Sequence, residues 1–123
     1  MVLDGDGSLL MNLGTLVAIA HAAPKNLVHC LCQNGTYETN GAVDIPGRGK
    51  VSFPGLAREA GYPKTYMFDN LDAWEHAVEG ILQEDGPLFV DLHVEPGESY
   101  PEDFQRLYAI EYRERFRRDL AHA

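Results

Sequence analysis

Positive charge is scarce in this chain. Its 123 residues carry 10 Lys and Arg against 19 Asp and Glu, a formal net charge of −9. A surface for nucleic acid or anionic membrane needs the opposite balance, so neither is expected as the main partner. Cysteine is nearly absent, with only Cys30 and Cys32, two apart in VHCLC. Residues so spaced on a strand point the same way and sit poorly for a disulfide, which predicts buried thiols in a reducing, cytoplasmic setting. A zinc site with His29 lacks a second Cys/His pair at a suitable spacing. Long apolar runs are missing too. The stretch LLMNLGTLVAIAHAA is shorter than a membrane span and is interrupted by Asn12 and His21, so it predicts a buried helix. The N-terminus carries acids where a secretion signal would carry a basic region.

What is present suits one domain: 45% hydrophobic and 24% charged residues over a length that can bury a core without staples. Val2-Leu3 reads as the stub of a strand. Residues 8 to about 23 read as a single helix whose Leu9, Leu10, Met11, Leu13, Leu16, Val17 and Ile19 cover most of its circumference, predicting enclosure on several sides. Residues 27–32 form an almost continuous apolar run, as in a central parallel strand. From Gln33 to Phe53 lies a Gly-, Asn- and Thr-rich loop, long enough to be functional. A short helix at 54–60, a strand at 65–68, a helix from the Asn70 cap to about 83 and a strand at 88–94 follow. In that last helix Leu71, Trp74, Val78, Ile81 and Leu82 are expected to face inward. Pro101 opens a final helix over 101–123, with Phe104, Leu107, Tyr108, Phe116 and Leu120 at helical spacing. Its Arg113, Arg115, Arg117 and Arg118 alternate with acids, which suits a solvated face or a subunit contact. Strand and helix alternate throughout, so the class is α/β with a parallel sheet flanked by helices.

The opening MVLDGDGS concentrates the chemistry. As a calcium loop, DGDGS fails at its twelfth position, where the bidentate acid is replaced by Thr15. As a tight strand-to-helix turn without a ligand, it explains the glycines and leaves Ser8 as a helix cap. As a diphosphate site, Gly5, Gly7 and Ser8 let the backbone approach phosphate oxygens while Asp6 holds a divalent cation. A second ligand is available directly after the second strand, at Gln33-Asn34-Gly35-Thr36-Tyr37. The C-terminal ends of neighbouring parallel strands share one crevice. An Asn34 amide oxygen and a main-chain carbonyl at Gly35-Thr36 would join Asp6 in an all-oxygen set of the kind magnesium takes.

The two motifs together, Gly5-Asp6-Gly7-Ser8 and Asn34-Gly35, resemble the diphosphate-binding signature of thiamine diphosphate enzymes. GDGSLLMNLGTL resembles 2-oxo acid decarboxylases and acetolactate synthases, and QNGTYETNG is most like the phosphonopyruvate and sulfopyruvate decarboxylase group. The likeness runs through FPGLAREAGY and GPLFVDLHVEPG and covers roughly residues 2–95. It implies Mg2+ on Asp6, Asn34 and the Thr36 carbonyl, with thiamine diphosphate contacted by Gly5, Asp6, Gly7, Ser8, Asn34 and Thr36. Two departures stand out. Gln33 replaces the first asparagine of many relatives, and Asn40 falls near where pyruvate decarboxylases carry a catalytic glutamate. The proton-transfer group is thus unassigned, with Glu38 the candidate.

In such enzymes a pyrimidine-binding domain or subunit supplies the glutamate that activates the cofactor, and an apolar support for the cofactor comes from upstream of GDG. The resemblance therefore implies a single partial diphosphate-binding domain over 1–123, incomplete at the N-terminus: a fragment, a mis-started reading frame, or a subunit completed by another chain. Homo- or hetero-oligomerisation is expected, and activity of the isolated chain is not. The implied activity is decarboxylation of a small 2-oxo acid such as phosphonopyruvate or sulfopyruvate, with Arg48 and Lys50 able to meet its anionic tail. The alternatives are an acetolactate synthase-like enzyme, a non-catalytic module that binds magnesium and diphosphate or stabilises a partner, and an α/β domain without a ligand. His21, His29 and Trp74 read as structural, while His93, near a strand end, has a better claim to the crevice.

Overall fold

A computed structural model describes residues 1–97 and 104–121. Four strands form one all-parallel sheet: β1 (Val2–Gly5), β2 (Val28–Gln33), β5 (Lys64–Phe68) and β6 (Leu88–His93), in the order β1-β2-β6-β5. The α/β reading is borne out, and β2 and β6 hold the centre. Their VHCL and LFVD stretches are buried because both faces are covered, which is why neither shows polar alternation. One face packs against α2 (Gly14–Ala22) and α3 (Phe53–Ala60) around Leu16, Leu31, Phe53, Ala57, Tyr62 and Phe89. The other carries α4 (Leu71–Leu82), whose Ile81 packs with Val28, Cys30, Leu88 and Val90 of the sheet.

Local chemistry sets the helix ends. Asn70 caps α4 by accepting from the Ala73 N–H at 3.0 Å, as its position predicts, and Ser52 does the same for α3 through Gly55. Several expectations need correction. The apolar stretch after β1 is not one helix but two, α1 (Asp6–Met11) and α2, broken at Asn12-Leu13 where Asn12 leaves helical geometry. Nor is it enclosed: only Leu9 and Leu16 among its large residues are fully buried, while Met11 is 75% exposed and Val17 60%. Its excess of apolar residues faces outward beside β1, itself an edge strand with Val2 and Leu3 exposed. Leu71 and Leu82 of α4 are likewise exposed, leaving Trp74, Val78 and Ile81 as its inward residues. Cys30 is buried but Cys32 only half so.

The loop after β2 has structure of its own, a short antiparallel pair β3 (Thr36–Tyr37) and β4 (Val43–Asp44) around a 3-10 turn at Glu38–Asn40. The C-terminal segment forms α5 (Phe104–Leu107) and α6 (Ile110–Ala121) in place of one helix, and Pro101, its expected start, lies outside the described residues. Among the described residues no helix is long and apolar enough to cross a membrane.

Candidate functional site at the strand ends

The opening DGDGS carries two acids, and the structure sends them to different tasks. Asp4 lies on the sheet face, where its Oδ2 sits 3.3 Å from His29 Nε2, while His29 Nδ1 is 3.2 Å from the Tyr62 hydroxyl. His29 is therefore a buried structural histidine, stacked edge-on against Phe89. Asp6 comes one step beyond the strand, at the first position of α1, and is 1% exposed. The Gly7 N–H donates to its Oδ1 at 2.8 Å, and the Gly35 N–H donates to its Oδ2 at 2.6 Å. One carboxylate thus ties the turn after β1 to the turn after β2, as the adjacency of these strands requires. Each of its oxygens keeps a second lone pair.

Asn34 stands beside it. Its Oδ1 accepts from the Thr36 N–H at 2.9 Å and the Thr36 hydroxyl at 3.2 Å, and its Nδ2 donates to Glu38 Oε2 at 2.6 Å. Glu38 Oε1 in turn accepts from the Gly97 N–H at 2.9 Å. Asn34 is thus oriented from both ends of its amide. Eight positions singled out in the sequence, Gly5, Asp6, Gly7, Ser8, Asn34, Thr36, Glu38 and Asn40, line one open cavity of about 550 Å3, while Gly35 of the second motif lines the cavity beside it. Ser8 does not cap α1. Gly5 takes the cap position without a side-chain bond, and Ser8 sits inside the helix. With six residues, α1 brings little macrodipole of its own, so anion binding here would depend on backbone N–H groups and a cation.

The glycines separate by cause. A Cβ on Gly7 would lie 2.6 Å from the Tyr37 ring, and one on Gly35, at φ +76°, would run into the Arg48 side chain. The protein itself demands both. A Cβ on Gly5 would meet nothing within 4 Å, although Gly5 lines the cavity. Among the described residues no three His, Cys, Asp or Glu side chains converge as a metal cluster. A cation here would therefore rest on one carboxylate plus amide and carbonyl oxygens, a donor set that fits a hard divalent ion such as Mg2+ and suits zinc poorly.

Beside this site lies a group that sequence reasoning missed. Asp91, in the middle of β6, is 1% exposed, and its Oδ2 lies 3.5 Å from His93 Nε2. The Gln33 amide nitrogen, in the orientation its surroundings favour, donates to Asp91 at 2.9 and 3.2 Å. Burial pushes the Asp91 carboxyl up to about 6, opposed by His93 and assisted by the nearby Asp6 charge. Only the β2–β6 register, which sets Gln33 against His93, brings these residues together. An acid inside an apolar strand (FVDLH) was the available signal. His93 does reach the crevice, lining a second cavity of about 270 Å3 with Arg48 and Asn34. Arg48 is ion-paired with Asp44 there, while Lys50 is exposed and absent from that lining. His21 is exposed on α2.

No protein-family model matches the chain. Curated relatives do. A phosphonopyruvate decarboxylase of Streptomyces hygroscopicus is 38% identical over 97 residues, 79% of this chain and 24% of that protein. The sulfopyruvate decarboxylase subunit beta of Methanothermobacter thermautotrophicus is 39% identical over 101 residues, 79% of this chain and 49% of that subunit. A sulfopyruvate decarboxylase of Methanosarcina acetivorans is 30% identical over 94 residues, 76% of this chain and 24% of that protein. The chain spans between a quarter and half the length of these relatives. The resemblance to the phosphonopyruvate and sulfopyruvate decarboxylase group is borne out over most of the chain.

Proposed function

From this kinship over about four-fifths of the chain, we propose that the chain is a single diphosphate-binding unit of a cytoplasmic, thiamine diphosphate-dependent decarboxylase (a carboxy-lyase) acting on a small anionic 2-oxo acid. The observation that carries the reading is the buried Asp6 carboxylate, fastened by two backbone N–H groups and facing a cavity it shares with Asn34 and the glycine turn. Asp6, Asn34 and the Thr36 carbonyl would hold Mg2+. Gly5, Gly7 and Ser8 would front the diphosphate, and the open space at Gly5 is what close approach of a ligand to the backbone requires. When bound, the thiazolium of such a cofactor supplies the electron sink for loss of carbon dioxide.

The residues of this chain bind and orient. Gly35 N–H and Gly7 N–H hold the Asp6 carboxylate aimed, and Thr36 and Glu38 fix the Asn34 amide plane. Rotation of the Thr36 hydroxyl frees an Asn34 lone pair for the cation. Glu38 is the chain's candidate proton carrier, being the carboxylate other than Asp4 and Asp6 on that cavity. Support for a partner comes from the name of one relative, a beta subunit. The partner would bring the pyrimidine-binding element and its activating glutamate. Calorimetric titration of the chain with thiamine diphosphate in Mg2+, repeated with EDTA and with Asp6→Ala, tests the reading. Metal-dependent heat lost in the variant supports it, and diphosphate binding that ignores both EDTA and Asp6→Ala would refute it.

A further inference from the structure

Helix α6 buries none of its residues. Twelve residues are too few for a stable isolated helix in water, where packing of an apolar face supplies most helical stability. Such a face exists. Tyr112, Phe116 and Leu120 follow one another at a spacing of four, and Phe116 is 64% exposed. At about 100° per residue, Arg113 and Arg117 flank that stripe on one side and Arg115 on the other. The described segment 104–121 holds five Arg against three acids, in a chain whose overall charge is −9.

The complementary surface lies at the same strand ends as the Asp6 site, toward β5 and α4, and shares His93 and Val94 with the cavity that Asn34 lines. Residues 69–85, which include all of α4, carry six acids and no Lys or Arg. Among the described residues, Glu84 is the one of these that pairs with a Lys or Arg, Lys64. Next to α4, at the ends of β5 and β6, Phe68, Leu71, Trp74, Leu92 and Val94 line a groove of about 300 Å3. Asp69 lies on its lining beside Asn70 and His93, and the exposed Asp72, Glu75 and Glu79 of α4 continue the negative surface, the inverse of an aromatic stripe edged by arginine. We propose that α6 of one copy of this chain docks in the α4 groove of a second copy, and the reverse, giving a two-fold dimer. In the reciprocal two-fold arrangement each copy's helix fills the other's groove, so no helix or groove is left to extend the assembly. The mode is that of an amphipathic helix laid in a groove, with charge fixing its orientation. An anionic membrane is disfavoured as occupant by the acidity of the rest of the chain.

Trp74 is the chain's one tryptophan, so its emission reports the groove. Sedimentation and Trp74 fluorescence of the full chain, from about 1 to 100 μM, are the measurements, that span bracketing the micromolar affinity of a modest interface. The expected result is a dimer whose formation shifts the emission. Phe116→Asp should leave a monomer. The pairs Arg113→Glu with Arg117→Glu, and Glu75→Lys with Glu79→Lys, should each weaken association at least about tenfold, while mixing the two charge-reversed chains restores it. Circular dichroism checks that each variant folds, these positions being exposed. Four results would overturn the proposal: a wild-type monomer at the highest concentration; a dimer indifferent to all these variants; emission that responds to Phe116→Asp but not to concentration, meaning α6 packs on its own chain; or capture of α6 by phosphatidylglycerol vesicles in preference to self-association.

Discussion

The strand-end site and helix α6 are opposites built from the same alphabet. In the site, an acid, an amide and several glycines are fixed by bonds reaching across the sheet, such as Asp6 to Gly35. Among the described residues, the ion pairs of α6 lie within the helix, Arg117 with Glu114 and Arg115 with Asp119, and its aromatic residues are exposed. One region takes its shape from the rest of its own chain. The other has a recognisable shape but, among the described residues, buries none of its own side chains. A polar site can thus be more rigid than an apolar helix, because rigidity follows from satisfied, buried partners and not from hydrophobicity.

That contrast can be broken from either end. Phe89→Ala removes a ring shared by Tyr62 and His29 at the centre of the sheet and should cost about 3–5 kcal/mol in denaturant unfolding. Gly7→Ala drives a methyl into the Tyr37 ring, so it should cost about 1–3 kcal/mol and weaken Mg2+-dependent diphosphate binding, read by calorimetry. Asp91→Asn sharpens the electrostatic side. A carboxyl raised from 3.8 to about 6 on folding favours its protonated form, so stability falls as pH rises through that window and stays reduced above it. The variant should therefore melt higher than wild type at pH 7.5, by about 1 kcal/mol or more, with the gap closing toward pH 4. Ile110→Ser, at the exposed start of α6, should change stability by less than about 0.5 kcal/mol.

Much of this architecture can be read from sequence because its signals are local. The Asn70 cap, the apolar runs of β2 and β6, and the paired motifs at Asp6 and Asn34 each announce themselves within a few residues. The break between α1 and α2 was also signalled, by Asn12 and Gly14 in MNLG, but the apolar residues on both sides suggested continuity. What sequence does not carry is strand order. Asp91 and Gln33 meet only because β6 inserts between β2 and β5, and no spacing between residues 33 and 91 encodes that. The outward face of the α1–α2 stretch is likewise a matter of what packs against it, not of its periodicity. At the site, motif reading placed Asp6, Asn34 and Thr36 on one cavity, but not the use of Glu38 to hold the Asn34 amide.

The bond from Gly35 N–H to Asp6 also has a kinetic meaning. It joins points 29 residues apart in sequence, so it opens only when two neighbouring strand ends separate. Hydrogen–deuterium exchange at that single amide should then proceed at the rate of sheet opening, slower than at its neighbours in the same turn. A cation bridging the two turns would slow it further. The Gly35 proton is in that sense a clock for the site, running before any ligand arrives and nearly stopped once one has.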